Sequence, residues 1–349
     1  MTSKQKNVHA FRKSKSSKVQ RPRGETEAGL YQLGEDLDKF HQDPNRFDFK
    51  QIESIAKDFF SLLKKELGRN LVAADGSFVG RLQKIRKAFQ ANEVDDYGMD
   101  RDFELAIKPF FDFVYSKYFR VSVQGIENIP DTGRCLLVSN HSGVIPIDGA
   151  MLKVAIMNGH PAKRELRFLV DDFVFHFPFM GTLMNRIGGV RACPENAERL
   201  LNAGEIVSVF PEGIKGISKL FKDRYKLERF GRGGVVRLAM KTKSPIAPVA
   251  VIGAEEIYPL IFKSHILARP LGLPFIPITP LFPLLGPLGA MPLPTKWTIH
   301  FGKCISYENA TAQDLNDGIL INKETESLRQ TIQQMVKDGL EKRKSVFGV

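Results

Sequence analysis

A chain of 349 residues with 43% hydrophobic and 26% charged side chains has the composition of a folded globular protein, which excludes a disordered or fibrous one. Its net charge of +12 excludes an acidic solvating chain and directs attention to polyanionic partners, anionic lipid or nucleic acid. Cys135, Cys193 and Cys304 stand too far apart for a zinc or redox motif, so no metal is expected and the three read as small buried hydrophobes in a reducing compartment.

Residues 1–28 form a basic tail. The first 24 carry Lys4, Lys6, Arg12, Lys13, Lys15, Lys18, Arg21 and Arg23 with no acid, and their apolar surface is too small to offset the entropy of ordering. The tail either solubilises the chain or meets a polyanion. No apolar stretch follows the charges, so no secretory signal is expected, and the Lys-rich pattern lacks the helical stripe of a transit peptide.

Residues 29–118 read as a helical N-terminal region. Phe49, Ile52, Ile55, Ala56, Phe59, Phe60, Leu62 and Leu63 share one broad face, and Val79, Leu82, Ile85 and Phe89 repeat the pattern after Asp75-Gly76. An apolar run from Phe103 to Phe119, interrupted by Pro109, leads into the strand-like FRVSVQGI. Such helices cover a sheet or dock on a membrane, and the cover is the preferred reading.

From residue 119 to 308 short β-rich runs alternate with helical stretches, which predicts an α/β domain with a mixed, mostly parallel sheet flanked by helices. The strand candidates are CLLVSN (135–140), ELRFLV (165–170), EIVSVF (205–210), IAPVAVIG (246–253) and KWTIHF (296–301). IDGAMLKVAIMNG, PENAERLLNAG and GGVVRLAMKTK are the helices between them. Residues 270–295 carry no ionisable side chain but contain eight prolines, so they cannot form a membrane-spanning helix. They make either a loop layer resting on lipid, with Trp297 at headgroup level, or a packed hairpin. Residues 309–349 close the chain with an amphipathic helix bearing Leu328, Ile332, Val336 and Leu340.

Active groups of open α/β sheets gather at the carboxyl ends of strands, where two polar motifs sit. In SNHSGVIPIDGAM, His141 and Asp148 flank a Gly and Pro turn, and a carboxylate that folds back on an imidazole makes a general base with its orienter. A structural histidine and a helix cap fit the same two residues. In VFPEGIKG (209–216), Glu212 accepts hydrogen bonds from a neighbouring loop or a substrate hydroxyl, and Gly213 lets the backbone approach a ligand. A plain tight turn fits there as well.

The two motifs together, with Gly189 and Arg191 in RIGGVRA and the run Ile246 to Ile252 around Pro248, resemble the four blocks of the glycerolipid acyltransferase family typified by 1-acylglycerol-3-phosphate acyltransferases. The resemblance covers about residues 120–305, in the family's order. Six residues separate His141 from Asp148 where the family has four, similar to a divergent branch with His-Ser-Gly-x-x-Pro-x-Asp, and Ile214-Lys215 replaces the usual Thr-Arg. These departures leave the acyl acceptor open.

The resemblance implies His141, Asp148 and Glu212 as catalytic residues and Ser142, Gly143, Arg191, Phe210, Pro211, Gly213 and Lys215 as substrate-binding residues. It implies no bound cofactor; acyl-CoA or acyl carrier protein is the donor. The acceptor is a lysophospholipid-like hydroxyl, with diacylglycerol or another unphosphorylated alcohol as the alternative. Backbone N–H groups near Gly143 or Gly213 would face the developing oxyanion, and Arg191 and Lys215 would face phosphate. A cytoplasmic protein held peripherally on a membrane surface is expected. A hydrolase needs a G-x-S-x-G elbow, which the chain lacks. No nucleic-acid recognition motif accompanies the basic tail, so nucleic acid is not an expected partner and a basic binding protein with an inactive acyltransferase-like fold is the remaining alternative.

Overall fold

The computed structural model describes residues 93–347 apart from 146, 177–179, 267 and 269–272. The basic tail and the helical stripes at 49–63 and 79–89 lie outside the described residues.

Among the described residues seven strands form one sheet: β1 (Ser122–Gln124), β2 (Cys135–Ser139), β3 (Leu166–Val170), β4 (Gly189–Arg191), β5 (Ile206–Val209), β6 (Ile246–Ile252) and β9 (Thr298–Phe301). Their order is β1-β9-β6-β2-β5-β3-β4. Strands β2 to β6 run parallel, whereas β9 is antiparallel to β6 and β1 runs with β9. The sheet is thus mixed and mostly parallel, and every residue of β2 and β6 is buried, as strands covered on both faces require. Strand β4, only three residues long, was not among the sequence candidates.

The helices among the described residues are α1 (Arg101–Phe113), α2 (Asp148–Gly159), α3 (Met180–Arg186), α4 (Pro194–Asn202), α5 (Ile214–Ile217), α6 (Gly234–Thr242) and α7 (Gly318–Lys342); α2, α4, α6 and α7 fall on sequence candidates, whereas α3 and the single turn of α5 were not expected. Asp100 caps α1 by accepting from Phe103 N–H at 2.9 Å, and the helix runs through Pro109 into a π turn at Val114–Tyr118. On one side of the sheet Leu136 and Val138 of β2 join a cluster with Leu200, Met240, Leu328, Ile332 and Val336 from α4, α6 and α7. A second cluster joins Phe168 and Val170 of β3 to Phe103 and Ile187, with Leu183 of α3 packed on it. Pro248 lies within β6, where the neighbouring chain leaves the ladder between Phe301 and Ile305, so its missing N–H forfeits no strand pairing.

Strands β7 (Phe262–Ser264), before the proline-rich stretch 270–295, and β8 (Ile276–Ile278), within it, form a separate antiparallel pair. Ile261, Phe262 and Leu284 remain 61%, 60% and 64% exposed there. The expectation of Trp297 at the surface is corrected: it is wholly buried and stacks on Phe119 with ring centroids 4.5 Å apart. Its indole N–H donates to Thr295 Oγ1 at 3.1 Å, so its one polar group is satisfied inside the fold.

The last described residues pack against the segment before β1 and the chain leading into β9. Arg120, just before β1, donates to the carbonyls of Pro294 (2.6 Å) and Phe347 (2.8 Å). Arg343, just after α7, pairs with the buried Glu256 at 2.6 Å and donates to Lys296 O at 2.9 Å. Among the described residues no helix is long and apolar enough to cross a membrane.

Candidate active site

The parallel run of β2 to β6 puts five carboxyl ends on one edge of the sheet. His141 stands two residues past β2, the central strand. Its Nδ1 lies 2.6 Å from Oδ2 of Asp148, the first residue of α2. The same oxygen accepts from Ser142 N–H at 2.8 Å, and Oδ1 accepts from Gly149 N–H at 3.0 Å. Burial of Asp148 would by itself raise its pKa, but His141 and the two backbone donors outweigh it, and the carboxyl is held below its ordinary value. The helix N-terminus favours the same charge.

The loop after β5 closes over His141. The Phe210 ring stacks on the imidazole at 4.5 Å and 15°. Glu212, fully enclosed, accepts from His141 N–H at 2.9 Å, from Glu228 N–H at 2.8 Å and from Lys219 Nζ at 3.0 Å. Gly213, at φ 55 and ψ −145, turns the chain in a region that only glycine visits readily, and Gly216 packs so close that a Cβ would lie 3.0 Å from that of His141. Val144 N–H bonds Ile217 O at 2.9 Å, which ties the two motif loops together. Val144 has φ 54, a left-handed conformation that costs a β-branched residue strain.

Lys219 also contacts Glu255, in the loop after β6, at 3.0 Å. Glu255 in turn accepts from Tyr225 N–H at 2.9 Å and from the Asn140 side chain at 3.3 Å. Burial alone would lower the Lys219 pKa, but the two carboxylates raise it; burial of Glu255 raises its carboxyl despite the lysine. Asn140 is pinned to β6 by bonds of 2.9 and 2.8 Å to Val251 O and N–H.

His141, Asp148, Phe210, Pro211, Glu212, Gly143 and Gly213 are therefore brought to one edge. Ser142, by contrast, is wholly buried, and its contact with the site is the backbone bond to Asp148. The Gly213 N–H is taken by Phe210 O at 3.0 Å, so it is not an open oxyanion donor. Lys215 is exposed on α5. Arg191 ends β4, three strand positions from β2 and hence roughly 14 Å away across the sheet. Its guanidinium grips Asp172 with two bonds of 2.5 and 2.8 Å, which raises its pKa, and both residues line an open cleft of about 440 Å³ with Tyr97, Phe175 and Asn185. Asn140, Gly216, Lys219 and Glu255 were not singled out from sequence. Gly216 stood inside a recognised block, whereas Lys219 and Glu255 lie in stretches to which no motif drew attention. Among the described residues no group of His, Cys, Asp and Glu is arranged to hold a metal ion.

With Nδ1 held by a carboxylate, Nε2 is the ring nitrogen left to accept a proton from a bound hydroxyl. A family model described as Acyltransferase matches residues 120–252. An uncharacterized protein of Mycobacterium leprae is 48% identical over 255 residues, 73% of this chain and 70% of the relative. The chloroplastic 1-acyl-sn-glycerol-3-phosphate acyltransferase BAT2 of Brassica napus is 26% identical over 153 residues, 41% of this chain and 40% of its own. The crystal structure of the 1-acyl-sn-glycerophosphate acyltransferase PlsC from Thermotoga maritima aligns with a TM-score of 0.46 at 18% identity, over 77% of this chain and 90% of that one.

Proposed function

The chain belongs to the glycerolipid acyltransferase superfamily, and from that premise we propose that it moves a fatty acyl group from a thioester to a glycerolipid hydroxyl. The donor is acyl-CoA or acyl carrier protein and the acceptor a lysophospholipid-like alcohol. The observation that carries the reading is the 2.6 Å contact between His141 Nδ1 and the buried, ionised Asp148. His141 Nε2 takes the hydroxyl proton as the acceptor oxygen attacks the thioester carbonyl. The tetrahedral intermediate collapses, the carbon–sulfur bond breaks, and the thiolate leaves with the proton that the imidazolium returns. Asp148 stabilises that imidazolium throughout, and such base catalysis contributes on the order of 10²–10⁴-fold.

Lipid contact along the same edge fits the distribution of apolar side chains. The connections that follow β2, β3, β5 and β6 leave apolar side chains outside: Ile145 (43% exposed), Met180 (39%), Ile214 (40%), and Ile261 (61%) with Phe262 (60%). Exposed apolar side chains in the connections leaving this edge suit an enzyme whose substrate partitions into a membrane surface, and the basic tail would add attraction to anionic lipid.

The test is purified full-length protein with labelled acyl-CoA and a panel of acceptors in mixed micelles: lysophosphatidate, other lysophospholipids and diacylglycerol. His141→Ala is expected to reduce transfer by at least ~100-fold. Undiminished transfer by that variant would remove His141 as the base, and the acceptor used fastest identifies the substrate class.

A further inference from the structure

We propose that Lys219 is a positioning residue for His141, holding the base in place by neutralising the two buried carboxylates from which the segment Asn140–His141 is suspended. This rests on the reading of His141 as the base.

Glu212 holds the backbone N–H of His141 and Glu255 holds the side chain of Asn140, so two successive residues hang from two anions. Those anions arrive from opposite sides, because β5 and β6 flank β2 and each sends one glutamate over its carboxyl end. Lys219 Nζ lies 3.0 Å from both, with its side chain 5% exposed. It therefore spans the end of the central strand and joins its two neighbours, but it does not reach the surface where a substrate would lie. Two carboxylates and one ammonium leave one net negative charge in the site; without the ammonium there are two, enclosed and facing each other. Like charges out of water repel strongly, and the geometry that relaxes is that of the residues they hold. A displacement of about 1 Å at a general base is enough to cost on the order of 100-fold in rate. Arg329 acts on Glu212 from α7, and Tyr225 N–H and Glu228 N–H bond the two carboxylates, but none of these bridges them.

The experiment compares wild type, Lys219→Met and the double substitution Lys219→Met with Glu255→Gln in the acyl-transfer assay, with thermal unfolding as the check on folding. Methionine keeps the length of the side chain and removes its charge; glutamine at 255 returns the site to one negative charge and keeps an oxygen for Tyr225 N–H, giving up the long 3.3 Å bond from Asn140, which stays pinned by its two bonds to Val251. Lys219→Met is expected to lower kcat by ~100-fold with the donor KM within about twofold, and the double substitution to recover at least about a tenth of wild-type kcat. A role in packing alone predicts that the second substitution adds damage. The proposal is overturned if Lys219→Met keeps more than about half of wild-type kcat, or if the double variant is no faster than the single one. Should Lys219→Met fail to fold, the double variant decides alone, support requiring at least about a tenth of wild-type kcat and anything lower counting against. His141→Ala in the same assay separates the two readings. If it transfers at the wild-type rate, the base assignment has failed. If it is inactive while Lys219→Met is not slowed, only the role of Lys219 has failed.

Discussion

Asp148 uses two oxygens for three bonds: the imidazole, the Ser142 N–H and the Gly149 N–H. Asparagine fits the same enclosed space, but its amide presents either a second donor to Nδ1 or a neutral oxygen that no longer steadies the imidazolium. Asp148→Asn is therefore expected to lower kcat by on the order of 10²–10⁴-fold with little change in KM, as steady-state kinetics would read. Sequence exposed His141 and Glu212 because each is a polar residue just after an apolar strand, and Asp148 because it stands across a Gly and Pro turn from His141. It did not expose Lys219 and Glu255. Glu255 meets Asn140 across 115 positions, and Lys219, although only seven positions from Glu212, is enclosed by the loop that brings Glu255 to it, so neither charge carries a local mark of the group that will bury it. Arg191 was singled out for phosphate, and the structure sets it against Asp172 in a neighbouring cleft.

At the scale of elements, β2, β3, β5 and β6 were legible because each is a mainly apolar run bounded by turns. The three residues of β4 begin with a glycine and make no such run, the three residues of β7 are mostly polar, and Pro277 argues against a strand at β8. Trp297 shows the opposite failure. It borders a charge-free stretch, which suggested an interfacial anchor, yet it immediately precedes β9 and packs on Phe119. The β7–β8 pair keeps Ile261 and Phe262 more than half exposed, so replacing both by serine sacrifices almost no packing. The double change is expected to weaken binding to anionic vesicles by at least about tenfold in sedimentation, given roughly 1.5–3 kcal/mol for burying a large apolar side chain in lipid. Turnover on micellar substrate and the unfolding temperature should stay as in wild type. Unchanged vesicle binding would move the lipid contact elsewhere.

The described α/β domain is closed from its C-terminal side. Arg343 pairs with the buried Glu256 at 2.6 Å, and Arg224 stands 3.9 Å from the same carboxylate. Arg343→Ala would leave the enclosed Glu256 with the more distant Arg224 as its cation, and is expected to cost about 3 kcal/mol in denaturant unfolding. Strand β1 pairs with β9, and the central strand β2 pairs with β6, so few of the sheet's pairings join neighbours in sequence. Such topologies fold slowly, because distant segments must meet before any contact rewards them. Arg120 also waits for the carbonyl of Phe347. On a translating ribosome, therefore, an incomplete polypeptide exposes the greasy face that Leu328, Ile332 and Val336 later cover, and chaperone protection should be needed until that helix emerges.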